Sequence, residues 1–426
     1  MIIDKVVEKY VPASKQRYLL FTTSLQWMLV AAGVMIMSLT LPNILETLEG
    51  SAELRNTMAS SVFFGMLLGA FTSGYLSDTL GRKITNILFL VIAGLFSALN
   101  GAAQSAGSFI TFRFLAGIGY GGLLPVVNAY LTEFTSIRIR GRYLTYLEAS
   151  WAVGSILLGL FTVLTVNTYG WRPSYYALAI STIPMLIITI RLPRSPKFAF
   201  LKGGKDALEK ALNCKVTEQV EMHKPERIPL LSLLKGKFLP RTLMIWLAWF
   251  SVSFTYYGIF TWAPKLFASR GIAASNAMWY TFFMLIMQLP GYLLAAYLIE
   301  KIGRKKTGIF FFTGTGLAVL FLLAVNSSFT SGLFAVVLSI FCMGSWGFVY
   351  AYTPELFPTE MRALGNGSAG VMARISGIIA PYYATFLIES GGNTSVVMTI
   401  TLALFMLVSS FLIFKCGVET KEQAIE

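Results

Sequence analysis

Twelve apolar runs follow one another along this chain, at about 18–45, 57–77, 84–104, 108–132, 143–167, 174–191, 241–264, 277–299, 307–325, 331–353, 364–388 and 394–415. Each is near the ~20 residues a helix needs to cross a bilayer. Within lipid every backbone N–H and C=O must be satisfied by the chain itself, so runs of this length fold as helices. Composition agrees: 55% of the 426 residues are hydrophobic and 13% charged, against about 45–50% and about 25% in soluble domains. The first run is too long for a cleavable signal and lacks a small-residue cleavage site. The expected fold is an all-α membrane protein of twelve transmembrane helices in two six-helix halves.

A net charge of +14 raises the question of a nucleic-acid partner, and the placement of the charges answers it. Of the 34 Lys and Arg, four fall on outer segments (Arg55, Arg172, Lys265, Arg270), two within spans (Arg113, Arg374), and the rest on inner ones. That is the positive-inside pattern, which puts both termini in the cytoplasm. The charge records topology, and no nucleic acid is expected. One histidine, His223, and three scattered cysteines (Cys214, Cys342, Cys416) supply neither a metal cluster nor a Ser-His-Asp set. The chain reads as a non-enzyme without cofactor.

The longest polar stretch separates six spans from six. It divides the chain into an N-terminal bundle (1–192), a cytoplasmic linker (193–240), a C-terminal bundle (241–416) and a tail (417–426). "GGKDALEKAL" in the linker has the periodicity of a short amphipathic helix at the membrane surface. The bundles repeat one another. "GYLSDTLGRK" carries Asp78 and Arg82, and "AYLIEKIGRK" carries Glu300 and Arg304, 222 residues later. Glu133 and Arg140 are matched by Glu355 and Arg362 at the same offset. Repeats of this sort, with a substrate site between them at mid-membrane, mark secondary transporters. Acid and arginine at helix ends can form bidentate pairs, so these eight residues are candidates for gating clusters that latch the halves.

Three ionisable residues lie within spans: Arg113, Glu148 and Arg374. Each costs roughly 2.5–3.5 kcal/mol at helix centre, so such residues face a cavity or a partner. Arg374 lies about 18 Å beyond Arg362 by helical rise, near the midplane, and Glu148 about 12 Å beyond Arg140. Arg374 can meet a carboxylate or sulfonate through its planar fork. Glu148 can accept hydrogen bonds, attract cations, titrate, or neutralise Arg374. Trp27, Trp249, Tyr256, Tyr257, Trp346 and Tyr350 could wall a cavity for a planar organic ion. Asn128, offset 222 from Tyr350, could line the same space.

"GYLSDTLGRK" resembles the loop motif between the second and third helices of the major facilitator superfamily. "RFLAGIGYGG", "RGR" at 140–142, "LPRSPKF", "PELFPTEMRALG" and the closing "GVETK" resemble the sugar porter and organic ion transporter branch. The resemblance implies the major facilitator fold and alternating access by rocking of two halves. "GIGYGG" also fits G-x-G-x-x-G, but inside an apolar span without a βαβ unit it marks close helix approach, not a dinucleotide site. "WLAWFSVSFTYYGIF" and "MARISGIIAPYY" resemble helices seven and eleven of the organic ion group. Arginine at position 374 is associated with its anion-handling members. Glu148 stands where sugar porters carry a substrate-binding glutamine. Arg113 matches an arginine that proton-coupled members pair with a first-helix aspartate. The first helix here has no acid; Gln26 is its main polar group and a further candidate contact. Glu148 and Arg113 are thus the coupling candidates, with protons as the co-transported partner or transport passive. The implied function is a monomeric plasma-membrane carrier of a small organic anion, secondary-active or facilitative. An organic cation carrier using Glu148 as counter-ion comes next, then a sugar porter, then a transporter-like sensor.

Overall fold

The structure, a computed structural model, describes residues 3–48, 52–221, 229–261, 263, 267, 274–324, 327–358, 361–389 and 394–421. His223, Lys265 and Arg270 lie outside the described residues. The described residues fold into helices: α1 (Ile3–Tyr10), α2 (Ala13–Thr47), α3 (Ala52–Leu80), α4 (Arg82–Ala102), α5 (Ala106–Phe134), α6 (Ile137–Tyr169), α7 (Arg172–Arg191), α8 (Pro196–Leu212), α9 (Phe238–Phe260), α10 (Ala274–Ile286), α11 (Gln288–Ile302), α12 (Arg304–Phe321), α13 (Ser328–Tyr352), α14 (Arg362–Glu389) and α15 (Thr394–Cys416). Ten helical stretches among them are long and apolar enough to cross a membrane, α10 and α11 together making one. The other two long helices are less apolar for a plain reason. α12 opens on Arg304, Lys305 and Lys306, and α14 dilutes its apolar residues with glycine, serine and Arg374. Exposed Phe71, Leu157, Ile180, Phe386, Leu404 and Phe411 give the helices the apolar outer faces that lipid requires.

The chain divides into two compact units, one of residues 1–36, 42–50 and 61–224, the other of 37–41, 51–60 and 225–426. The 222-residue repeat is visible within each unit at the level of single atoms. Ser105 caps α5 in a reciprocal capping box with Ser108, and Ser327 caps α13 in the same way with Thr330, satisfying orphan N–H groups at each start. α3 meets α5 where a Cβ on Gly69 would fall 2.1 Å from the Ile118 carbonyl oxygen. α11 meets α13 where a Cβ on Gly291 would fall 2.5 Å from that of Ile340. Only glycine permits such backbone approach between membrane helices. The break between α3 and α4 is made by Gly81 at φ +89°, that between α11 and α12 by Gly303 at φ +90°, a region that side chains with a Cβ avoid.

Two shorter helices lie beside the spans of the first unit. α8 contains the expected amphipathic segment and bends at Gly203 and Gly204. α1 is amphipathic, burying Ile3, Val6 and Val7; it precedes the first span and was absent from the sequence expectation.

Candidate functional site

The acid and arginine residues at the ends predicted to be cytoplasmic do form ion pairs: Asp78 pairs with Arg82 as the sequence pairing has it, while Glu133 and Glu355 pair with Arg82 and Arg304 instead of Arg140 and Arg362. In the first unit Arg82 Nε donates to Glu133 Oε1 at 3.0 Å and Arg82 Nη1 to Asp78 Oδ1 at 3.1 Å. In the second unit Arg304 Nε and Nη2 donate to Glu355, each with a 3.0 Å contact. The repeat thus pairs the loop arginine with the glutamate 51 residues on in both units. Arg140 does not bind Glu133; it donates to Asp4 Oδ1 at 2.9 Å and to the Thr135 carbonyl at 3.1 Å. Glu300 is exposed and in no described ion pair with Arg304. Arg362 Nε is buried without a hydrogen-bond partner among the described residues.

Each glutamate is further held by the segment that follows the last span of its unit, a feature the sequence expectation missed. Ser195 Oγ donates to Glu133 and Thr420 Oγ1 to Glu355. Tyr130 Oη donates to the Pro193 carbonyl at 2.7 Å, and Tyr352 Oη to the Val418 carbonyl at 2.6 Å. Tyr130 and Tyr352 are themselves 222 residues apart, so the same offset that marked the glutamates could have found them. Glu419 accepts from the backbone N–H groups of Arg304 (2.8 Å) and Lys305 (3.2 Å) at the start of α12. Burial pushes its carboxyl up, but the N–H groups of Arg304, Lys421, Lys305 and Thr420 outweigh that and hold it below the usual range, as expected for an anion at a helix N-terminus.

Five of the aromatic candidates form one connected cluster in the second unit. Trp249 meets Trp346 edge-on at 5.6 Å and Tyr350 at 4.7 Å, while Trp346 and Tyr350 stack at 5.8 Å. Tyr256 meets Trp346 at 6.2 Å and Tyr257 at 5.2 Å. Polar tips are anchored: Trp249 Nε1 donates to Thr353 Oγ1 at 2.8 Å, and Gln288 Nε2 to Tyr256 Oη at 3.1 Å. Gln288, fully buried on α11, escaped notice because a lone glutamine in an apolar run carries no repeat or motif. Trp346 Nε1 is buried without a hydrogen-bond partner among the described residues.

Arg374 stands on α14, which packs on α9 through the Ser253 Oγ to Ala373 carbonyl bond of 2.8 Å. Its Nη1 donates to the Gly370 carbonyl one turn back at 2.8 Å, and its Nε is buried with no described partner. The guanidinium is close enough to Tyr257 to act on it electrostatically. A half-buried, always-protonated fork beside aromatic edges can bind a carboxylate bidentately while a flat ring contacts the aromatic walls.

The first unit holds the remaining candidates. Gln26 is satisfied inside the bundle: it donates to Thr189 Oγ1 at 2.7 Å and accepts from Asn86 Nδ2 at 2.9 Å. Glu148 is buried on α6, about 16 Å from its Ile137 end. Asn128 on α5 is half-buried, and Trp27 on α2 is buried. Arg113 is fully buried on α5, with Nη2 donating to the Val34 carbonyl at 3.4 Å and the guanidinium 5.8 Å from the Tyr175 ring centre.

Comparison with known proteins places this geometry. The chain is 31% identical to the niacin transporter NiaP of Acinetobacter baylyi, with 97% of each chain covered. It is 32% identical to a Bacillus subtilis NiaP protein named for niacin/nicotinamide transport, covering 96% of this chain and 98% of that one. The xylose transporter XylE of E. coli, in a partially occluded inward-open conformation, superposes with a TM-score of 0.76 at 17% identity, covering 97% of this chain and 100% of that one; the fold is that of the major facilitators. A family model of sugar (and other) transporters matches residues 15–426. This chain belongs to that transporter family, within the major facilitator superfamily.

Proposed function

We propose that the protein carries a small aromatic monocarboxylate of the niacin type across the plasma membrane, its two units rocking to give alternating access and both termini lying in the cytoplasm. The observation that carries this reading is Arg374, whose Nε has no described protein partner and whose neighbours belong to a cluster of tryptophan and tyrosine. A pyridine carboxylate offers the complementary pair, a carboxylate for the fork and a flat ring for the aromatic edges. The names of two relatives over nearly the full chain point to the same substrate class.

Asp78, Arg82, Glu133, Arg304 and Glu355 serve as gating clusters in this reading, since charge-assisted pairs at helix ends can exist in two discrete arrangements. Glu148 is the titrating group if protons accompany the cargo. The cation reading keeps one supporting observation, the burial of Glu148.

Proteoliposome uptake decides between them. Labelled nicotinate should enter, neutral nicotinamide should compete weakly, and cationic 1-methylnicotinamide should not compete. Arg374→Gln should abolish nicotinate uptake, with Arg374→Lys retaining a small fraction, because a point charge replaces the bidentate fork. Uptake of the cation alone, unchanged in Arg374→Gln, would overturn the anion reading.

A further inference from the structure

Arg113 poses a problem that the carrier function does not solve. Its side chain is 0% exposed, and a guanidinium cannot discharge by losing a proton. Its Nη2 reaches the Val34 carbonyl only at 3.4 Å, while Nε and Nη1 have no hydrogen-bond partner among the described residues. None of the described ion pairs includes it. About 31 Å of α5 separate it from Phe134, whereas Glu148 lies about 16 Å from the adjoining end of α6. Arg113 therefore sits roughly 15 Å further along the bundle than Glu148. An uncompensated buried charge is strongly destabilising.

The surroundings answer the charge in one way. Trp171 is 1% exposed with Nε1 unpartnered. Its ring meets Tyr175 at 5.5 Å, the ring that faces Arg113, and Phe109 at 5.6 Å, one turn before Arg113 on α5. On α4, Asn100 is 0% exposed and neither Nδ2 nor Oδ1 has a partner among the described residues. α4 and α5 meet where a Cβ on Gly119 would lie 2.5 Å from Ala93 N. Seven residues onward along α4 and six back along α5 bring Asn100 and Arg113 to the same depth within about 1.5 Å. Arg113 and Asn100 thus share one level of the first unit, and the Trp171 ring adjoins it through Tyr175 and Phe109; Arg113 Nε and Nη1, Asn100 Nδ2 and Trp171 Nε1 are four buried donors without a partner among the described residues.

We infer that Arg113, Asn100 and Trp171 form a binding site for a small monovalent anion, chloride or a carboxylate, which neutralises Arg113 inside the first unit. The site is separate from Arg374 and does not rest on the proposed cargo. An anion accepts from all four donors and supplies the charge that the described side chains lack.

The test is thermal unfolding of the purified full chain in nanodiscs, with sulfate exchanged for chloride, acetate or nicotinate at matched ionic strength. Wild type should melt about 2–4 °C higher in chloride or acetate, as expected for a ligand that binds only the folded state. Arg113→Met should show no such shift and should melt in sulfate at or above the wild-type temperature. Trp171→Phe, which keeps the ring and removes the donor, should raise the half-saturating anion concentration several-fold, and it carries the test if Arg113→Met does not fold. Arg374→Gln should keep the chloride shift. Stabilisation of Arg374→Gln by nicotinate, lost on adding Arg113→Met, identifies an organic carboxylate as occupant; a shift by chloride alone identifies an inorganic one. A wild-type melting temperature indifferent to all three anions, or a chloride shift that survives in Arg113→Met or is unchanged in half-saturation in Trp171→Phe, overturns the proposal.

Discussion

Single side chains carry most of the chemistry of this carrier, and at the helix ends that chemistry is the pairing of arginine with glutamate. The 222-residue repeat relates Arg82 to Arg304 and Glu133 to Glu355 and joins each to a sequence neighbour; of those pairings Asp78–Arg82 forms, at 3.1 Å. The structure joins each arginine to the glutamate of a different helix, at 3.0 Å in both units. The reason is packing: Glu133 and Glu355 lie on segments whose contact with the arginine no sequence spacing records, while Asp78, four residues before Arg82, shares the same guanidinium. A double-mutant cycle measures the exchange. Alanine at Arg82 and Glu133 should give a coupling of about 1–3 kcal/mol in unfolding free energy, the range for contacting residues. The Arg140 and Glu133 cycle should give a value near zero, and the Arg140 and Asp4 cycle should resemble the first. Equal coupling of Glu133 to both arginines would contradict the observed pairing.

At the scale of elements, α1 is the addition that hydropathy could not disclose, because eight residues are too few to register as a span. It docks through charge as well as through Ile3, Val6 and Val7. Asp4 accepts from Arg140 at 2.9 Å and lies 3.1 Å from Lys197; Glu218 binds Lys9 and accepts from Tyr10 Oη at 2.8 Å. Burial raises the Asp4 carboxyl, but the charge of Lys197 and the bond from Arg140 bring it below its ordinary value. The bonds from Lys9 and Tyr10 hold Glu218 down at about 2. Depressed carboxylates stabilise docking fully above their ordinary values, and that contribution disappears as pH falls through the folded ones. The bond to Glu218 raises Lys9 above its ordinary value, so its share persists until strongly alkaline pH. A fluorophore on Lys5→Cys, in a background lacking Cys214 and Cys416, should keep constant anisotropy from about pH 5 to pH 9 and loosen below about pH 4. A second prediction concerns α12. Glu419→Gln removes the anion from that helix start and should cost about 1 kcal/mol, read as a lower melting temperature, with Glu419→Asp intermediate.

For the whole molecule, the spans and their inner and outer ends came from a pattern that lipid enforces. Alkaline phosphatase fused after Glu426 should be inactive and a green fluorescent protein there bright, the outcome that positive-inside charge requires; the reverse would invert the topology. Hydrophobic length and charge are properties of the chain read in order, so the sequence alone determined a polytopic helical protein, a twofold repeat and an arginine within an apolar run. Contacts between helices depend on which face each turns toward its neighbour, and a helix that is apolar all round does not announce its faces. The tertiary structure alone decided that Arg82 and Arg304 each take a glutamate from another helix, that Gln288 anchors Tyr256, and that Gln26 is consumed by Thr189 and Asn86. It also decided that Arg113 is buried against the Tyr175 ring and in none of the described ion pairs, because burial and partnership belong to three-dimensional neighbours that no linear pattern records.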